Sequence, residues 1–146
     1  MKEFKGRAIT GGTWTGEAVV SKQGVNTLAT FQKSALNNAK TVIAADQSNP
    51  DIYQKEITGK ALCLPITIGS TTGGLVIQTI CSMDLNPACF LFSKAIDSLA
   101  ASGIVLAKIW EDSNVIAIDN LGDEFLETVQ TGDTVEVLDD GTVKIK

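Results

Sequence analysis

One segment of the 146-residue chain has the residue types and the position expected of a binding turn. Residues 69–74 are Gly-Ser-Thr-Thr-Gly-Gly, and they stand between an apolar run and an apolar segment with helical spacing. Glycines let a backbone approach a ligand closely, and the free N–H groups at the start of a helix attract anions. The turn therefore either binds an anionic ligand, or Ser70 or Thr72 only caps the helix. The missing Gly-Lys-Ser/Thr ending excludes a P-loop.

The composition excludes several kinds of self-contained enzyme. The sequence has no histidine, which excludes a Ser-His-Asp triad, a Cys-His nucleophile pair and a His-ligated metal. A net charge of −5 gives no basic footprint for nucleic acid. We find no apolar run long enough for a membrane span and no signal peptide at the N-terminus, so we expect a cytoplasmic protein without a nucleic-acid or membrane partner.

Two polar residues outside the turn are further candidates. Arg7 is the single arginine of the chain, and it either contacts substrate or is a surface or interface residue. Asn26, which Thr27 follows, is either a polar substrate contact or part of an ordinary loop. The tryptophans Trp14 and Trp110 are expected to pack in the fold or at a subunit interface rather than to stack on a ligand.

The three cysteines allow a structural and a metal-binding interpretation. Cys63, Cys81 and Cys89 each lie in an apolar stretch, and no CxxC pair is present. Three thiolates can hold an iron–sulfur centre. The apolar surroundings favour the other interpretation, in which the cysteines are small buried hydrophobes, and we expect no metal site in this chain.

Hydrophobic patterning predicts the strands and helices around the turn. The central part alternates strand and helix patterns, which predicts a parallel βαβαβ layer with right-handed crossovers. Both ends of the chain have alternating strand patterns, and Asp140-Gly141 predicts a hairpin turn. We expect one α/β domain over residues 1–146, in which an antiparallel β layer or barrel from the termini packs beside the parallel layer. The expected central elements are strand 61–66, helix 75–83, strand 88–92, helix 97–110 and strand 115–118, with a short strand at 41–45 and a loop or irregular helix at 22–38.

The order of several short segments resembles the small subunit of the aconitase X family, which is similar to the swivelling fourth domain of aconitases. The resemblance covers nearly the whole chain, and it rests on the conjunction of segments rather than on one motif. These segments are Gly6-Arg7-Ala8-Ile9, Gly11-Gly12, Gly16-Glu17-Ala18, Gly59-Lys60-Ala61-Leu62-Cys63-Leu64-Pro65 leading into Gly69-Ser70-Thr71-Thr72-Gly73, and Thr131-Gly132-Asp133 leading into Gly141-Thr142-Val143.

The resemblance implies a swivelling β/β/α domain and one subunit of a hydro-lyase, inactive alone. It implies a larger subunit that carries an iron or iron–sulfur centre, while this chain binds no cofactor. The implied substrate is a small hydroxy carboxylic acid, such as a cis-3-hydroxyproline or mevalonate-phosphate type. Ser70 corresponds to the catalytic serine that removes a proton next to a carboxylate. Gly69, Thr71, Thr72 and Gly73 would then lie beside the substrate, with Asn26 and Arg7 as further contacts.

Two segments depart from the family pattern. Thr67-Ile68 precedes Gly69-Ser70, where the family has Gly-Arg before Gly-Ser. Residues 24–31 lack the proline, tryptophan and glycine pair that the family carries there. An alternative function is therefore a non-catalytic swivel domain that binds a small anion or scaffolds a complex.

Overall fold

An eight-stranded mixed sheet organises the part of the chain that this computed structural model describes, residues 2–37, 39–68 and 73–146. The strands are β1 (Lys2–Lys5), β2 (Arg7–Thr10), β3 (Trp14–Val20), β4 (Val25–Asn26), β5 (Ala61–Leu64), β6 (Thr67–Ile68), β7 (Cys89–Phe92), β8 (Ile116–Asp119), β9 (Thr134–Val137) and β10 (Thr142–Ile145). The helices are α1 (Thr27–Leu36), α2 (Gly73–Ser82), α3 (Ser98–Trp110) and α4 (Asp123–Thr128). Strands β4 and β6 form a separate parallel pair outside the large sheet.

The large sheet nearly closes into a barrel. Its strand order is β1-β10-β9-β3-β5-β7-β8-β2, so the two outermost strands are consecutive in sequence and are joined at Gly6. A Cβ atom on Gly6 would lie 2.4 Å from the carbonyl oxygen of Asp119, so this position needs a glycine. The Gly6 N–H donates to the carbonyl oxygen of Gly141 at 3.0 Å, and Gly141 has a φ of +92°. The link between β1 and β2, the end of β8 and the turn between β9 and β10 therefore meet at Gly6, which we call the Gly6 corner.

The predicted βαβαβ layer is confirmed. Strands β5, β7 and β8 pair in parallel, with α2 and α3 as the crossover helices. The predicted hairpin is also present, since β9 and β10 pair antiparallel. The structure adds β3 as a further parallel neighbour of β5. Because β9 pairs with β3 and β2 pairs with β8, the antiparallel strands continue the same curved sheet.

Two segments lie between β3 and β5. The sequence pattern left the first as a loop or an irregular helix, and it predicted the second wrongly. Residues 27–36 form α1, because the Asn26 side chain accepts a hydrogen bond from the Ala29 N–H at 3.0 Å and caps the helix. The strand expected at 41–45 was wrong, since that stretch forms an isolated bridge between Ile43 and Glu56.

The sheet separates two hydrophobic cores. In β5, Ala61 and Cys63 belong to the core inside the barrel, while Leu62 and Leu64 belong to the core beneath the helices. Strand β7 alternates in the same way, with Cys89 and Leu91 in the barrel core and both phenylalanines in the helix-side core. Every residue of β5, β7 and β8 is buried, which explains the continuous apolar runs in the sequence.

The cysteines are free thiols buried in these two cores, as their apolar surroundings predict. Cys63 and Cys89 lie in the barrel core, whereas Cys81 lies in the helix-side core across the sheet. The three thiols therefore cannot ligate one metal centre. Among the described residues, no cluster of three or more His, Cys, Asp or Glu side chains has the arrangement of a metal site.

Burial of the thiols predicts slow cysteine chemistry in the native chain. Burial raises the pKa of Cys63 and Cys89 far above 9.0 and that of Cys81 to about 11. We expect an aromatic disulfide reagent near neutral pH to label native thiols slowly and denatured thiols fast, because the thiolate is the nucleophile.

The same raised pKa values predict a loss of stability in alkali. Below the ordinary thiol pKa of 9.0, the protonated native thiols contribute in full to the free energy of unfolding. For Cys81, this contribution to stability is lost as the pH rises from there to about 11. Denaturant unfolding curves across this interval check the prediction. A Cys81→Ser chain is the control, and an equally steep decline in that chain would contradict the assignment.

Candidate functional site

The flanks of the Gly-Ser-Thr-Thr segment lie at the edge where the parallel strands end. We call residues 69–72 the Ser70 segment, and the predicted site residues Gly69, Ser70, Thr71 and Thr72 in it lie outside the described residues. On one side of the segment β6 ends at Ile68, and on the other side Gly73 begins α2. We call this edge, at the carboxyl ends of β3, β5, β7 and β8, the carboxyl edge.

Asn26 lies beside Ile68, the residue that precedes the Ser70 segment in the sequence. Strand β4 pairs in parallel with β6, and Asn26 is the register partner of Ile68. The side chain of Asn26 caps α1 through its Oδ1 atom. The structure thus brings the predicted site residue Asn26 and the N-terminus of α1 next to Ile68, and it gives Asn26 a capping role there.

Thr67 connects the other side of β6 to the start of α3. The buried Thr67 Oγ1 donates to Asp97 Oδ2 at 2.8 Å. Asp97 Oδ1 accepts from the Ala100 N–H at 2.7 Å, so the same carboxylate caps α3. Sequence reasoning missed both residues as parts of the site. An Asp before an apolar helical pattern does signal an N-cap, whereas nothing in the sequence signals its bond to Thr67.

Three helices therefore begin around β6. Asn26 at the start of α1 pairs with β6, Asp97 at the start of α3 bonds to β6, and α2 begins at Gly73, five residues after Ile68. Helix N-termini carry partial positive charge and unpaired N–H groups. As the structure describes them, the first turns of the three helices contain no acidic residue. The Asp97 carboxylate occupies the α3 terminus, and Asn26 Oδ1 accepts one N–H at the α1 terminus.

Arg7 lies farther along the carboxyl edge. Its Nε and Nη2 atoms donate to the two carboxylate oxygens of Asp119 at 3.0 and 2.7 Å. Asp119 is fully buried, and its Oδ2 atom also accepts from the Ile96 N–H at 2.8 Å. The hydrogen bonds and charge of Asp119 raise the pKa of Arg7. Strands β5 and β2 are three spacings apart, so the Arg7 backbone is roughly 14 Å from β5 along the sheet.

Helices α1, α2 and α3, which we call the helical layer, expose an apolar surface. The sequences of these three helices contain two charged residues, Lys33 and Lys108. A groove of about 430 Å³ between α1 and α2 includes Leu28, Leu36 and Leu75 in its lining. At the C-terminal end of α3, Ile109 is 69% exposed and Trp110 is 73% exposed. Other exposed apolar residues of the layer are Leu99, Val105 and Leu106.

Trp14 packs against the barrel core, as predicted. Trp110 lies exposed on the helical layer, and its place at a subunit interface stays a prediction. No described helix of the chain combines the length and apolar character that a bilayer crossing demands.

The fold and these segments have a counterpart among known proteins. The family model described as the aconitase X swivel domain matches residues 3–145. The chain therefore belongs to the aconitase X swivel domain family, as the resemblance of its segments predicts.

Relatives match the chain over nearly its whole length. The phosphomevalonate dehydratase small subunit of Methanocella arvoryzae is 32% identical over 143 residues, which cover 98% of this chain and 96% of that protein. The phosphomevalonate dehydratase small subunit of Archaeoglobus fulgidus is 28% identical, with 98% of each chain covered. The crystal structure of Thermococcus kodakaraensis aconitase X in its holo-form superposes with a TM-score of 0.80 at 27% identity, covering 100% of this chain and 99% of that chain. The solution structure of a UPF0107 protein gives a TM-score of 0.78 at 26% identity, with 99% of both chains covered.

The Asp119 contacts predict different effects for two substitutions. In Asp119→Ala the part-buried Ile96 N–H loses its acceptor, which we expect to cost about 1–3 kcal/mol in the free energy of unfolding. Arg7→Ala keeps that hydrogen bond but leaves the fully buried Asp119 carboxylate without its cation, so we expect a larger loss of stability. Urea unfolding of both variants measures the difference. A smaller loss in Arg7→Ala than in Asp119→Ala would contradict this order.

Proposed function

We propose that this chain is the small subunit of a hydro-lyase that dehydrates a phosphorylated hydroxy acid of the mevalonate-phosphate type. The match to relatives named phosphomevalonate dehydratase small subunit, over 98% of this chain, carries the proposal. In this account the Ser70 segment enters a cleft that this chain shares with a larger subunit. Substrates of the cis-3-hydroxyproline type have less support, because the relatives reported above carry the phosphomevalonate name.

The carboxyl edge supports a substrate with two anionic groups. Such a hydroxy acid carries a carboxylate and a phosphate, and both are stabilised by N–H groups at helix N-termini. The termini of α1 and α2 stand on the two flanks of the Ser70 segment. Arg7 is bound to Asp119 farther along this edge, so in this account it supports the edge through Asp119.

Ser70 is the proposed base of the reaction. Its oxygen takes the proton from the carbon next to the substrate carboxylate, and the electron pair of that C–H bond forms the new C=C bond. The hydroxyl on the neighbouring carbon takes up a proton, and as its C–O bond breaks it leaves as water. A serine alkoxide requires strong stabilisation, and the N–H groups at the start of α2 are the nearest donors in the sequence.

Assistance to the leaving hydroxyl must come from outside this chain. An iron or iron–sulfur centre supplies such assistance by polarising the C–O bond. The cysteines of this chain do not fit that group, because they lie in two separate cores. The proposed ligands of the centre therefore belong to the larger subunit, and this chain is inactive alone.

The helical layer is the proposed docking surface for the larger subunit. A contiguous exposed apolar patch marks an interaction surface, and α3 exposes Leu99, Leu106, Ile109 and Trp110. The layer also adjoins the Ser70 segment, since α2 begins at Gly73. A subunit that covers the layer would therefore reach the proposed cleft.

Removal of the proposed base should abolish turnover without changing assembly. We expect Ser70→Ala to lower kcat of the reconstituted complex by roughly 10²–10⁴-fold, the usual contribution of a positioned base. The matched control is Ser82→Ala, at the far end of α2, where the exposed hydroxyl bonds within its own helix. Steady-state dehydration kinetics measure the effect. Full activity of Ser70→Ala would favour the non-catalytic alternative.

A charge on the helical layer should weaken assembly. We expect Ile109→Glu to reduce the affinity for the larger subunit at least tenfold, because a carboxylate would be buried in an apolar interface. Gln130→Glu adds the same charge at an exposed position outside the layer and serves as the control. Titration calorimetry measures both affinities. Equal affinities would show that the larger subunit docks elsewhere.

A further inference from the structure

We propose that Thr67 and Asp97 are positioning residues that hold the Ser70 segment in its reactive place. The inference rests on the proposed function and extends it to two residues that have no direct part in the chemistry. Their hydrogen bond ties the strand before the segment to the N-terminus of α3. We call this bond the Thr67–Asp97 tether.

The tether adds a side-chain contact to a strand whose own backbone pairing is short. Strand β6 contains two residues and pairs with β4, which also contains two residues. This pair lies outside the eight-stranded sheet, and an isolated two-stranded pair is marginally stable in water. Thr67 stands two residues before Gly69 in the sequence, so we expect a shift of Thr67 to displace the chain that leads into the Ser70 segment.

The carboxylate of Asp97, an exposed residue, accepts a hydrogen bond at each oxygen. One oxygen accepts from Thr67 and the other from the Ala100 N–H. The preceding residue, Ile96, donates its N–H to the buried Asp119 carboxylate at the end of β8. The tether thus joins β6 to the start of α3, which Ile96 in turn connects to the large sheet.

A positioning role predicts an effect on kcat more than on KM. A base displaced by about 1 Å from its working geometry loses roughly 100-fold in rate, while the binding of substrate by other groups is little affected. A purely structural role for Thr67 or Asp97 predicts instead a loss of folded protein with unchanged kcat per folded complex. The two roles are therefore separable by kinetics.

Variants at the two positions separate the tether from the helix cap. Thr67→Val keeps the shape of the side chain and removes the hydroxyl, whereas Thr67→Ser keeps the hydroxyl. Asp97→Ser keeps an N-cap acceptor for α3 but is too short to reach Thr67. In the reconstituted complex we expect Thr67→Val and Asp97→Ser each to lower kcat by at least tenfold with KM within about twofold. We expect Thr67→Ser to restore most of the rate.

The outcomes distinguish this inference from the proposed function. Wild-type kcat in Thr67→Val, together with an inactive Ser70→Ala complex, would overturn the tether and leave the catalytic serine intact. An active Ser70→Ala complex would overturn the catalytic serine of the proposed function. In that case hydrogen exchange still tests the tether, because we expect faster exchange at residues 67–75 in Thr67→Val than in Thr67→Ser. Equal exchange in the two variants would overturn the tether.

Discussion

Strands β5, β7 and β8 are buried on both faces, and this burial constrains where the barrel core and the helical layer lie. A strand that is apolar on both faces needs a cover on each side. The curved sheet supplies one cover by closing on itself around the barrel core, and the helical layer supplies the other. Closure depends on the corner at Gly6, where the N-terminal chain passes from one margin of the sheet to the other without room for a side chain.

The same constraint places the site. Right-handed crossovers put α2 and α3 on one face, so both helices begin at the edge where the parallel strands end. The chain provides three kinds of group there. They are the helix N-termini, the Ser and Thr residues of the Ser70 segment, and the hydrogen-bonded carboxylates of Asp97 and Asp119. It has no histidine, and its single arginine is paired with Asp119. This set of groups is in keeping with the proposed division of labour between two subunits.

Local patterns predicted much of this fold. The apolar runs at 61–66 and 88–92 and the helical spacing after them were sufficient for the parallel layer, and Asp140-Gly141 was sufficient for the hairpin. Helix α1 was ambiguous because three of its buried residues, Thr27, Thr30 and Ser34, are polar and obscure its apolar face. The strand expected at 41–45 failed for a related reason, since alternation of apolar residues there reflects burial of an irregular loop around a single bridge.

The contacts around the site were beyond sequence reasoning, because they join distant parts of the chain. Arg7 and Asp119 are 112 positions apart, and Thr67 and Asp97 are 30 apart. No periodicity signals either pair. Sequence reasoning did select Asn26, which the fold places beside Ile68, and the family resemblance selected Ser70, whose catalytic role stays a prediction.

In the proposed function, this chain completes an active site whose other part belongs to a larger subunit. The rate of dehydration of mevalonate 5-phosphate by this chain, by the larger subunit and by their mixture tests this directly. We expect turnover in the mixture alone, with a rate that rises as this chain is added and then saturates. Equal turnover by the larger subunit without this chain would show that the small subunit does not complete the site.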